Sequence, residues 1–325
     1  MRRILITGGT GFVGSHLVHF LSSFQAKLIV LSSDDVKTQQ PGVDYYKVDV
    51  RKLDDVCAVV RDAFPDQIYH LAAISSVPAS WKDPRLTFDV NVIGSYNVLD
   101  AAMRLSHTPR ILNVSTSQVY APSDAALLET SPVGPDNPYA ASKAMAELLT
   151  IQYRESKKGG VITARAFNHT GPGQVTSFAL PSFARQLAEM EASLRPPLLK
   201  VGNLNVKRDF TDVRDVVVAY CELLEKGTVG EIYNVCSGRA VLLADLVKGL
   251  QRNCGVEVKI EIDPARLRPA EVPQIVGDAG KLHRITGWLP KISLERTLNE
   301  LLVYWRNEIK RDAVDGDGTA TAVLP

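Results

Sequence analysis

Tyr139 and Lys143 are two residues whose types and spacing suit acid–base chemistry. They lie four positions apart in the segment NPYAASK, which places both side chains on one face of a helix. A phenol with an ordinary pKa of about 10 is a poor acid–base catalyst at neutral pH, and a nearby ammonium group lowers that pKa by favouring the phenolate. Because the same spacing also occurs on ordinary helices, the surrounding segments must decide between a catalytic and a structural pair.

The segment before this predicted helix carries hydroxyl groups where ligands commonly bind. The strand predicted over Arg110–Ser115 continues into Thr116 and Ser117, and open α/β folds bind ligands at the carboxyl ends of their strands. A Thr116 hydroxyl at that edge can donate a hydrogen bond to a substrate carbonyl. We therefore predict that Thr116, Tyr139 and Lys143 form one catalytic group.

A glycine-rich turn near the N-terminus predicts a dinucleotide site. The apolar strand Ile4–Thr7 runs into GGTGFVG, and Ser15–Leu21 has the pattern of a helix. Glycines there let backbone N–H groups approach a pyrophosphate at the positive end of the helix. The turn contains both a Gly9-Gly11-Gly14 and a Gly8-Gly11-Gly14 register. The expected cofactor contacts are Gly8, Gly11, Phe12, Val13 and Gly14.

The residue after the second predicted strand, Lys27–Leu31, is expected to meet the adenosine ribose. Dinucleotide-binding folds often carry an acid there, but this chain has Ser32, followed by Ser33 and Asp34. A serine tolerates a 2′-phosphate that a carboxylate would repel, so we expect NADP, with NAD as the alternative. No arginine stands beside Ser32 in the sequence to bind the phosphate, and the two serines also suit the start of a loop.

Short apolar runs alternate with longer segments of helical period from Arg3 to Ala166. This alternation predicts an α/β fold, a doubly wound parallel sheet of the Rossmann type with helices on both faces. The continuous apolar character of the runs suits strands that are buried on both faces. The predicted strands are Ile4–Thr7, Lys27–Leu31, Tyr45–Val48, Ile68–Leu71, Arg110–Ser115 and Val161–Ala166.

After Phe167 prolines interrupt the chain and the regular alternation ends, which indicates a smaller α/β lobe that binds the substrate. Asp212–Leu224 opens with an aspartate suited to a helix N-cap, and with Glu231–Val235 it could return a helix and a strand to the sheet. We therefore predict discontinuous domains, 1–167 with 212–236 for the dinucleotide and 168–211 with 237–310 for the substrate. Residues 311–325 are expected to form a flexible tail.

Charge and composition exclude several classes of function. The chain has 325 residues, 45% of them hydrophobic, which suffices for a large core, and its formal net charge is +1. That balance gives no long-range attraction for nucleic acid or an anionic membrane. The four cysteines and six histidines show no metal-ligand spacing, and there is no run of about 18 apolar residues. We expect free thiols, no metal, no membrane partner and a cytoplasmic location.

The chain resembles the extended short-chain dehydrogenase/reductases that modify nucleotide sugars, and the resemblance reaches to about Arg306. It rests on the glycine-rich turn, Asp49-Val50, His70-Leu71-Ala72-Ala73, Asn91, Thr116 and the Tyr139/Lys143 pair. It implies an NAD(P)-dependent oxidoreductase that forms a homodimer through the helices carrying Asn91 and Tyr139. The further cofactor contacts that the resemblance implies are Asp49, Val50, Leu71, Ala72, Ala73 and Asn91, together with Tyr139 and Lys143.

The second half resembles the branch of this family that acts on GDP-mannose derivatives. The matching segments are AFNHTGPGQ from Ala166, GNL from Gly202, RDFTD from Arg208 and RLRPAEV from Arg266. A diphosphate favours arginine forks, and a carboxylate accepts from guanine or ribose donors. Taken singly, each arginine also suits a surface ion pair. The expected contacts to a GDP-sugar substrate are Gln118, Asn168, Arg185, Asn203, Arg208, Arg268 and Glu271.

The resemblance implies reduction of the 4-keto group of GDP-4-keto-6-deoxy-D-mannose to GDP-D-rhamnose, with Tyr139 as proton donor. The alternatives are an epimerase or 4,6-dehydratase that recycles its cofactor, and a non-catalytic cofactor sensor. The related dehydratases carry a glutamate two positions after the catalytic threonine, and here that position is Gln118. Because an amide cannot exchange a proton at neutral pH, we expect reduction and not dehydration.

Overall fold

The computed structural model of the chain describes residues 1–36, 39–155, 160–267 and 272–315. Each predicted strand is present, with ends that differ by no more than two residues from those expected. The strands are β1 (Arg2–Thr7), β2 (Ala26–Ser32), β3 (Val43–Lys47), β4 (Gln67–His70), β5 (Arg110–Thr116), β6 (Gly160–Ala166), β7 (Asn168–Thr170), β8 (Leu198–Val201), β9 (Lys207–Asp212), β10 (Ile232–Val235), β11 (Ala240–Leu242), β12 (Lys259–Ile262) and β13 (Gln274–Ile275).

Helices separate most of these strands. A π-helical turn over Asp89–Ile93 leads into α5, and 3₁₀ turns occur at Ser117–Val119 and Pro264–Arg266. The α-helices are α1 (Phe12–Leu21), α2 (Leu53–Ala63), α3 (Val77–Lys82), α4 (Pro84–Phe88), α5 (Gly94–Met103), α6 (Pro138–Glu155), α7 (Ala179–Glu191), α8 (Val213–Lys226), α9 (Leu243–Arg252), α10 (Gly280–Thr286) and α11 (Leu294–Asp315).

A seven-stranded parallel sheet forms the centre of the first part of the chain. Its strand order is β10-β6-β5-β4-β1-β2-β3, and every neighbouring pair runs parallel. The strand order reverses between β4 and β1. Open α/β sheets bind ligands at such a reversal, at the carboxyl ends of the strands. The predicted doubly wound fold is therefore confirmed.

Alternate side chains of the central strand β1 enter two hydrophobic cores. Ile4 and Ile6 pack with Leu17 of α1 and Tyr220 of α8 on one face, while Leu5 packs into the core on the opposite face. This alternation is the period of two expected of a strand. Because helices cover both faces, the buried residues Ile4, Leu5 and Ile6 are all apolar, and burial of each such side chain contributes about 1.5–3 kcal/mol.

The chain divides into two compact units. The first comprises Met1–His169, Asp209–Arg239 and Ile275–Lys291, and the second comprises Thr170–Arg208, Ala240–Gln274 and the chain from Ile292 onwards. The segment 275–291 differs from the sequence-based division, which assigned it to the substrate lobe. Its Trp288 is buried in the core of the first unit and donates from Nε1 to the backbone oxygen of Asp215 over 3.0 Å.

The second unit is built from α7, α9 and α11 with the parallel strands β8 and β12. Arg306, in the middle of α11, donates two hydrogen bonds to the carboxylate of Glu191 at 2.6 and 2.7 Å, so the C-terminal end of α7 is held against α11. Helix α11 continues to Asp315, which shortens the predicted tail, and Arg311 pairs with Glu308 within its last turns. Residues 316–325 lie outside the described ranges. No helix in the described ranges is both long and apolar enough to cross a membrane.

Candidate active site

Helix α6 carries Tyr139 and Lys143, and it begins at Pro138. A proline suits this first position because its backbone angle is helical and it lacks an N–H group that would have no partner in the helix. The side-chain oxygen of Asn137 accepts from the backbone N–H of Ala140 over 2.9 Å, as an N-cap does. This start places Tyr139 in the first turn of the helix and Lys143 one turn later.

Thr116 ends strand β5, and its side chain acts on the phenol of Tyr139 by favouring the phenolate. The backbone N–H of Gln118 donates to the Thr116 hydroxyl over 3.3 Å, which fixes the turn after the strand. Thr116, Tyr139 and Lys143 are each at most 7% exposed. The structure thus buries all three predicted catalytic residues and places Tyr139 and Lys143 on the same helix.

The acidity of Tyr139 differs from the sequence-based expectation. Burial raises the pKa of Tyr139 to about 12, and the Thr116 side chain opposes that rise. The expectation that Lys143 lowers the phenol's pKa below its usual range is wrong for the protein alone, because desolvation of the phenolate outweighs the favourable contacts. Tyr139 is therefore a neutral phenol at pH 7, which is the form that can donate a proton.

The Lys143 ammonium is buried as well, and burial lowers the pKa of Lys143 to about 8. The carboxylate of Glu147, one turn further along α6, opposes this shift by favouring the charged ammonium. Lys143 in turn acts on His70 at the end of β4, whose pKa burial and the neighbouring ammonium lower to about 3. At neutral pH the site contains a charged Lys143 beside an uncharged His70.

His70 connects the first strand with helix α5. Its Nδ1 lies 2.8 Å from the hydroxyl of Thr7, at the end of β1, and its Nε2 lies 2.9 Å from the hydroxyl of Ser95. The Thr7 hydroxyl also accepts from the backbone N–H of Ala72 over 3.2 Å. A neutral imidazole with two fixed partners therefore holds the segment that follows β4.

Asn91 lies in the π-helical turn, is fully buried, and bonds to the protein with both ends of its amide. Its oxygen accepts from the N–H of Ile74 over 2.8 Å, and its nitrogen donates to the oxygen of Ile74 over 3.0 Å. The same nitrogen donates to the Ser142 hydroxyl on α6 over 2.8 Å. Asn91 thus ties the segment predicted to line the cofactor, Leu71 to Ala73, to the helix that carries Tyr139.

The glycine-rich turn has the backbone that a dinucleotide cradle needs. Gly8 has a φ of +67°, and a Cβ atom there would lie 2.8 Å from the backbone nitrogen of Ala72. A Cβ on Gly14 would meet the oxygen of Gly8 at 2.2 Å, so α1 can approach the turn only without a side chain there. The first N–H groups of α1 have no helical partners, and they can bind a pyrophosphate. The residues present therefore fit a dinucleotide cofactor.

Ser32 ends β2 and is buried, and its hydroxyl lies 2.8 Å from the hydroxyl of Thr10 in the glycine-rich turn. The N–H of Asp34 also donates to Ser32 over 3.2 Å. The edge of this site is charged, because Lys47 forms an ion pair with Asp35 at 2.8 Å. Ser32 thus belongs to the turn at the strand end and provides no negative charge there.

Of the predicted cofactor contacts, Asp49 lines an open surface depression of about 370 Å³, together with Arg51, Lys52, Asp89 and Ile93. The Asp49 carboxylate takes a forked pair of hydrogen bonds from Arg51, at 2.9 Å to Nε and 2.6 Å to Nη2, which lowers the pKa of Asp49. Val50 is buried, and its oxygen accepts from the Asn97 side chain over 2.9 Å.

Among the predicted substrate contacts of the first unit, Gln118 lies next to the catalytic group, and its Oε1 accepts from Asn137 over 3.1 Å. Asn168 begins β7, directly after the buried Phe167. Gln118 thus lies beside the start of α6, while Asn168 lies on β7, the short strand that follows β6 in the chain.

The predicted contacts of the second unit lie on separate elements of that unit. Arg185, on α7, pairs with Glu189 at 2.8 Å and stacks over Trp305, and its side chain is still 43% exposed. Arg208 lies on β9 and donates to the oxygen of Lys207 over 2.8 Å. Asn203 accepts from the N–H of Asn205 within a turn. Arg268 and Glu271 lie outside the described residues.

The sequence did not single out Thr10, Glu147 or Arg165, which the structure places around the candidate site. The hydroxyl of Thr10, in the glycine-rich turn, bonds to the hydroxyl of Ser32 at the end of β2, and Glu147 forms a buried ion pair with Arg165. The spacing of four between Lys143 and Glu147 was a usable signal, since it places both on one helix face. Within the part of the chain that the structure describes, no three His, Cys, Asp or Glu side chains are arranged to hold a metal ion.

Comparison with known proteins identifies what the chain is similar to. The pattern of the family described as GDP-mannose 4,6 dehydratase matches residues 5–301. A GDP-6-deoxy-D-mannose reductase from Pseudomonas aeruginosa is 35% identical, over 96% of this chain and 99% of the relative. A GDP-mannose 4,6-dehydratase from Yersinia enterocolitica is 27% identical, over 97% and 96%. The solved structure of RMD from Pseudomonas aeruginosa, complexed with NADPH, matches with a TM-score of 0.84 at 35% identity and covers 95% of this chain and 100% of that one.

Proposed function

Because the chain belongs to the GDP-mannose 4,6 dehydratase family of extended short-chain dehydrogenase/reductases, we propose that it is a nucleotide-sugar 4-ketoreductase. Its substrate is GDP-4-keto-6-deoxy-D-mannose and its product is GDP-D-rhamnose. The observation that carries the proposal is the burial of Tyr139 together with Thr116 and Lys143. Tyr139 is a neutral phenol, and the charged Lys143 lies one turn further along the same helix. A proton donor and a nearby cation are what reduction of a carbonyl requires.

In this mechanism each of the three residues has one task. The bound nicotinamide cofactor supplies a hydride to C4 of the sugar. Tyr139, with a pKa of about 12, donates its proton to the carbonyl oxygen, and the Thr116 hydroxyl orients that oxygen. The charged Lys143 stabilises the phenolate that remains and binds the nicotinamide ribose. Burial of all three excludes water from the proton transfer.

The first unit is the cofactor domain in this proposal. Gly8, Gly11, Phe12, Val13 and Gly14 hold the pyrophosphate, a role supported by the close approach of Gly8 to Ala72 and of Gly14 to Gly8. Ser32 faces the adenosine ribose, and Asp49, which lines a surface depression, and Val50 contact the adenine. Leu71, Ala72 and Ala73 line the cofactor, and Asn91 positions that segment through its bonds to Ile74 and Ser142.

NADPH is the preferred cofactor in this proposal, and NADH also serves. Ser32 carries no charge that would repel a 2′-phosphate, and a relative with a solved structure binds NADPH. Two cations of this region, Lys47 and Arg51, are already paired with Asp35 and Asp49. The preference for NADPH is therefore modest.

The second unit holds the GDP moiety in this proposal. Arg185, Asn203, Arg208, Arg268 and Glu271 are its contacts, and Gln118 and Asn168 are further proposed contacts to the sugar nucleotide. The support is chemical, because guanidinium forks suit a diphosphate, and the relatives' names include GDP-sugars. Arg185 would have to exchange part of its pairing with Glu189 for the diphosphate, and its 43% exposure leaves it accessible.

We also propose a homodimer formed through α5, α6 and the π-helical turn. Apolar side chains on these elements are unusually exposed, with values of 42–63% for Ile93, Tyr96, Met145, Leu148 and Ile151. Met145, Leu148 and Ile151 recur every three residues, so they share one side of α6. Such a patch commonly marks a protein interface. Leu148→Glu should give a monomer in sedimentation experiments, and an unchanged mass would refute the interface.

The test of the function is cofactor stoichiometry. The purified chain is mixed with GDP-4-keto-6-deoxy-D-mannose and NADPH, and both the nicotinamide absorbance and the product are followed. A reductase consumes one NADPH for each GDP-D-rhamnose formed, whereas an epimerase or dehydratase recycles its cofactor without net consumption. Product formation without NADPH loss would refute the proposal.

A further inference from the structure

Beneath the candidate site lies an ion pair that none of the three catalytic tasks uses. Arg165 of β6 forks onto the Glu147 carboxylate of α6, with Nη2 at 2.7 Å from Oε2 and Nε at 3.0 Å from Oε1. The side chains are 4% and 7% exposed. Burying two charges costs solvation free energy, and their mutual attraction often does no more than offset that cost. A well-packed apolar pair would therefore hold the helix on the sheet equally well.

Besides Glu147, several other residues contact Arg165 and enclose its side chain. Its guanidinium lies 4.6 Å from the ring centre of Tyr120. Its Nη1 donates to the backbone oxygen of Glu129 over 3.2 Å. Tyr120 donates onward to the side chain of Asn234 over 2.6 Å. These contacts fix the guanidinium, and the fork from Arg165 fixes the Glu147 carboxylate.

The fixed carboxylate lies one helical turn from Lys143. Its negative charge favours the charged form of Lys143 and opposes the effect of burial on the pKa of that group. The neighbouring His70 is neutral at pH 7, because its pKa is lowered to about 3, so it gives Lys143 no counter-charge.

Other ionisable groups surround α6. Tyr139 on α6 and Tyr220 on α8 are neutral phenols whose pKa values burial raises. Arg165 and Tyr120 lie on the far side of the Glu147 contact, and the Glu129 carboxylate accepts from the N–H of Asn234. The charged side chains of α3, α4, the π-helical turn and α5 are at least partly exposed at the surface: Lys82, Asp83, Arg85, Asp89, Asp100 and Arg104.

We propose that Glu147 is a positioning residue for catalysis: held by Arg165, its carboxylate keeps the buried Lys143 ammonium charged in the pH range where the enzyme works. This inference rests on the proposed function, because it assumes that Lys143 must be charged for turnover. It differs from a purely structural brace between α6 and β6, which would affect folding stability but not the titration of Lys143.

The experiment compares pH profiles of kcat/KM for variants of the pair. Glu147→Gln removes the charge, and it should move the alkaline limb of the profile to lower pH by about one to two units. Glu147→Asp retains the charge and should restore part of that shift. Arg165→Lys is the matched control: it loses the fork but keeps both charges, so its limb should stay near the wild-type position even though its melting temperature falls.

Two further measurements keep the test decisive. If Glu147→Gln does not fold, the double variant Glu147→Gln/Arg165→Met removes both members of the ion pair, so Arg165 is not left buried without its partner, and a smaller shift in the same direction is expected. Lys143 can also be titrated without any turnover, by NMR of ¹³Cε-labelled lysine with Lys143→Met as the assignment control. That titration separates the two proposals, since an inactive wild type refutes the reductase while the Lys143 shift can still be measured.

The proposal is overturned if the folded variants that lack the carboxylate titrate at Lys143 as the wild type does. It is also overturned if Arg165→Lys shifts the limb as far as Glu147→Gln, because geometry and not charge would then govern Lys143.

Discussion

Asn137 donates from its side-chain nitrogen to Oε1 of Gln118 over 3.1 Å. The same Asn137 caps helix α6, so the first residue before the catalytic helix also orients the amide beside the catalytic threonine. The bond uses the oxygen of Gln118, and a carboxylate at that position could accept it in the same way. The site is thus built to hold either an amide or a carboxylate, and only the second can exchange protons.

Gln118→Glu should therefore add a detectable dehydratase activity. A carboxylate next to the Thr116 hydroxyl provides the missing acid–base group, and such a group typically contributes about 10²–10⁴ in rate. The measurement is formation of the 4-keto sugar from GDP-mannose with NADP⁺. Gln118→Ala is the control, since it also removes the amide but adds no ionisable group. If Gln118→Glu remains as inactive as Gln118→Ala, residue 118 does not separate the two reactions.

Tyr139→Phe should lose about 10²–10⁴ in kcat for the keto sugar, because the variant lacks the proton donor. The ring stays in place, so NADPH affinity, measured by fluorescence titration, should change little. Thr116→Val is a useful companion, as it keeps the shape of Thr116 and removes only the hydroxyl that acts on the phenol. Near-normal turnover by Tyr139→Phe would remove Tyr139 from the mechanism.

The rate of reduction should fall as the pH rises above about 8. The pKa of Lys143 is lowered to about 8, so the ammonium loses its proton through this range, while Tyr139, with a pKa of about 12, keeps its own. Each pH unit above the lysine pKa should lower kcat/KM about tenfold if charged Lys143 is required. A profile that stays level to pH 10 would show that the charge of Lys143 is dispensable.

Ser32→Asp should shift cofactor preference from NADPH towards NADH. A carboxylate at the end of β2 repels a 2′-phosphate and accepts hydrogen bonds from ribose hydroxyls. The Thr10 hydroxyl, which now bonds to the Ser32 hydroxyl, can donate to that carboxylate. We expect a change of about tenfold in the ratio of the two kcat/KM values, equivalent to about 1.4 kcal/mol. Ser32→Asn controls for size without charge. Equal ratios for the Asp and Asn variants would contradict a role for charge at this position.

Much of the fold could be predicted from the sequence because its signals are local. Short runs rich in apolar residues, such as Ile4–Thr7 and Val161–Ala166, suit strands covered on both faces, and each is a strand of the parallel sheet. Asp212 was expected to cap a helix, and its carboxylate accepts from the N–H of Arg214 over 2.8 Å. Where the information lies within a few residues, the prediction agrees with the structure.

The remaining features depend on contacts between distant segments. Arg165 meets Glu147 from a different element, and no local pattern announces that pairing. Trp288 packs in the first unit and donates to the backbone oxygen of Asp215, 73 positions earlier in the chain. Because no local pattern indicates this contact, the sequence did not predict that 275–291 belongs to the first unit. The pKa of Tyr139 was expected to fall because Lys143 is close in sequence, but burial, which the sequence does not display, raises it.

The most direct test of the central claim is a pair of rates measured with the same preparation of the wild-type chain. In one reaction GDP-mannose is supplied with NADP⁺, and in the other GDP-4-keto-6-deoxy-D-mannose is supplied with NADPH. We predict rapid NADPH-dependent formation of GDP-D-rhamnose in the second reaction and negligible 4-keto product in the first, because Gln118 cannot exchange the protons that dehydration requires. Formation of the 4-keto sugar from GDP-mannose at a rate comparable to the reduction would contradict the assignment of this chain as a reductase.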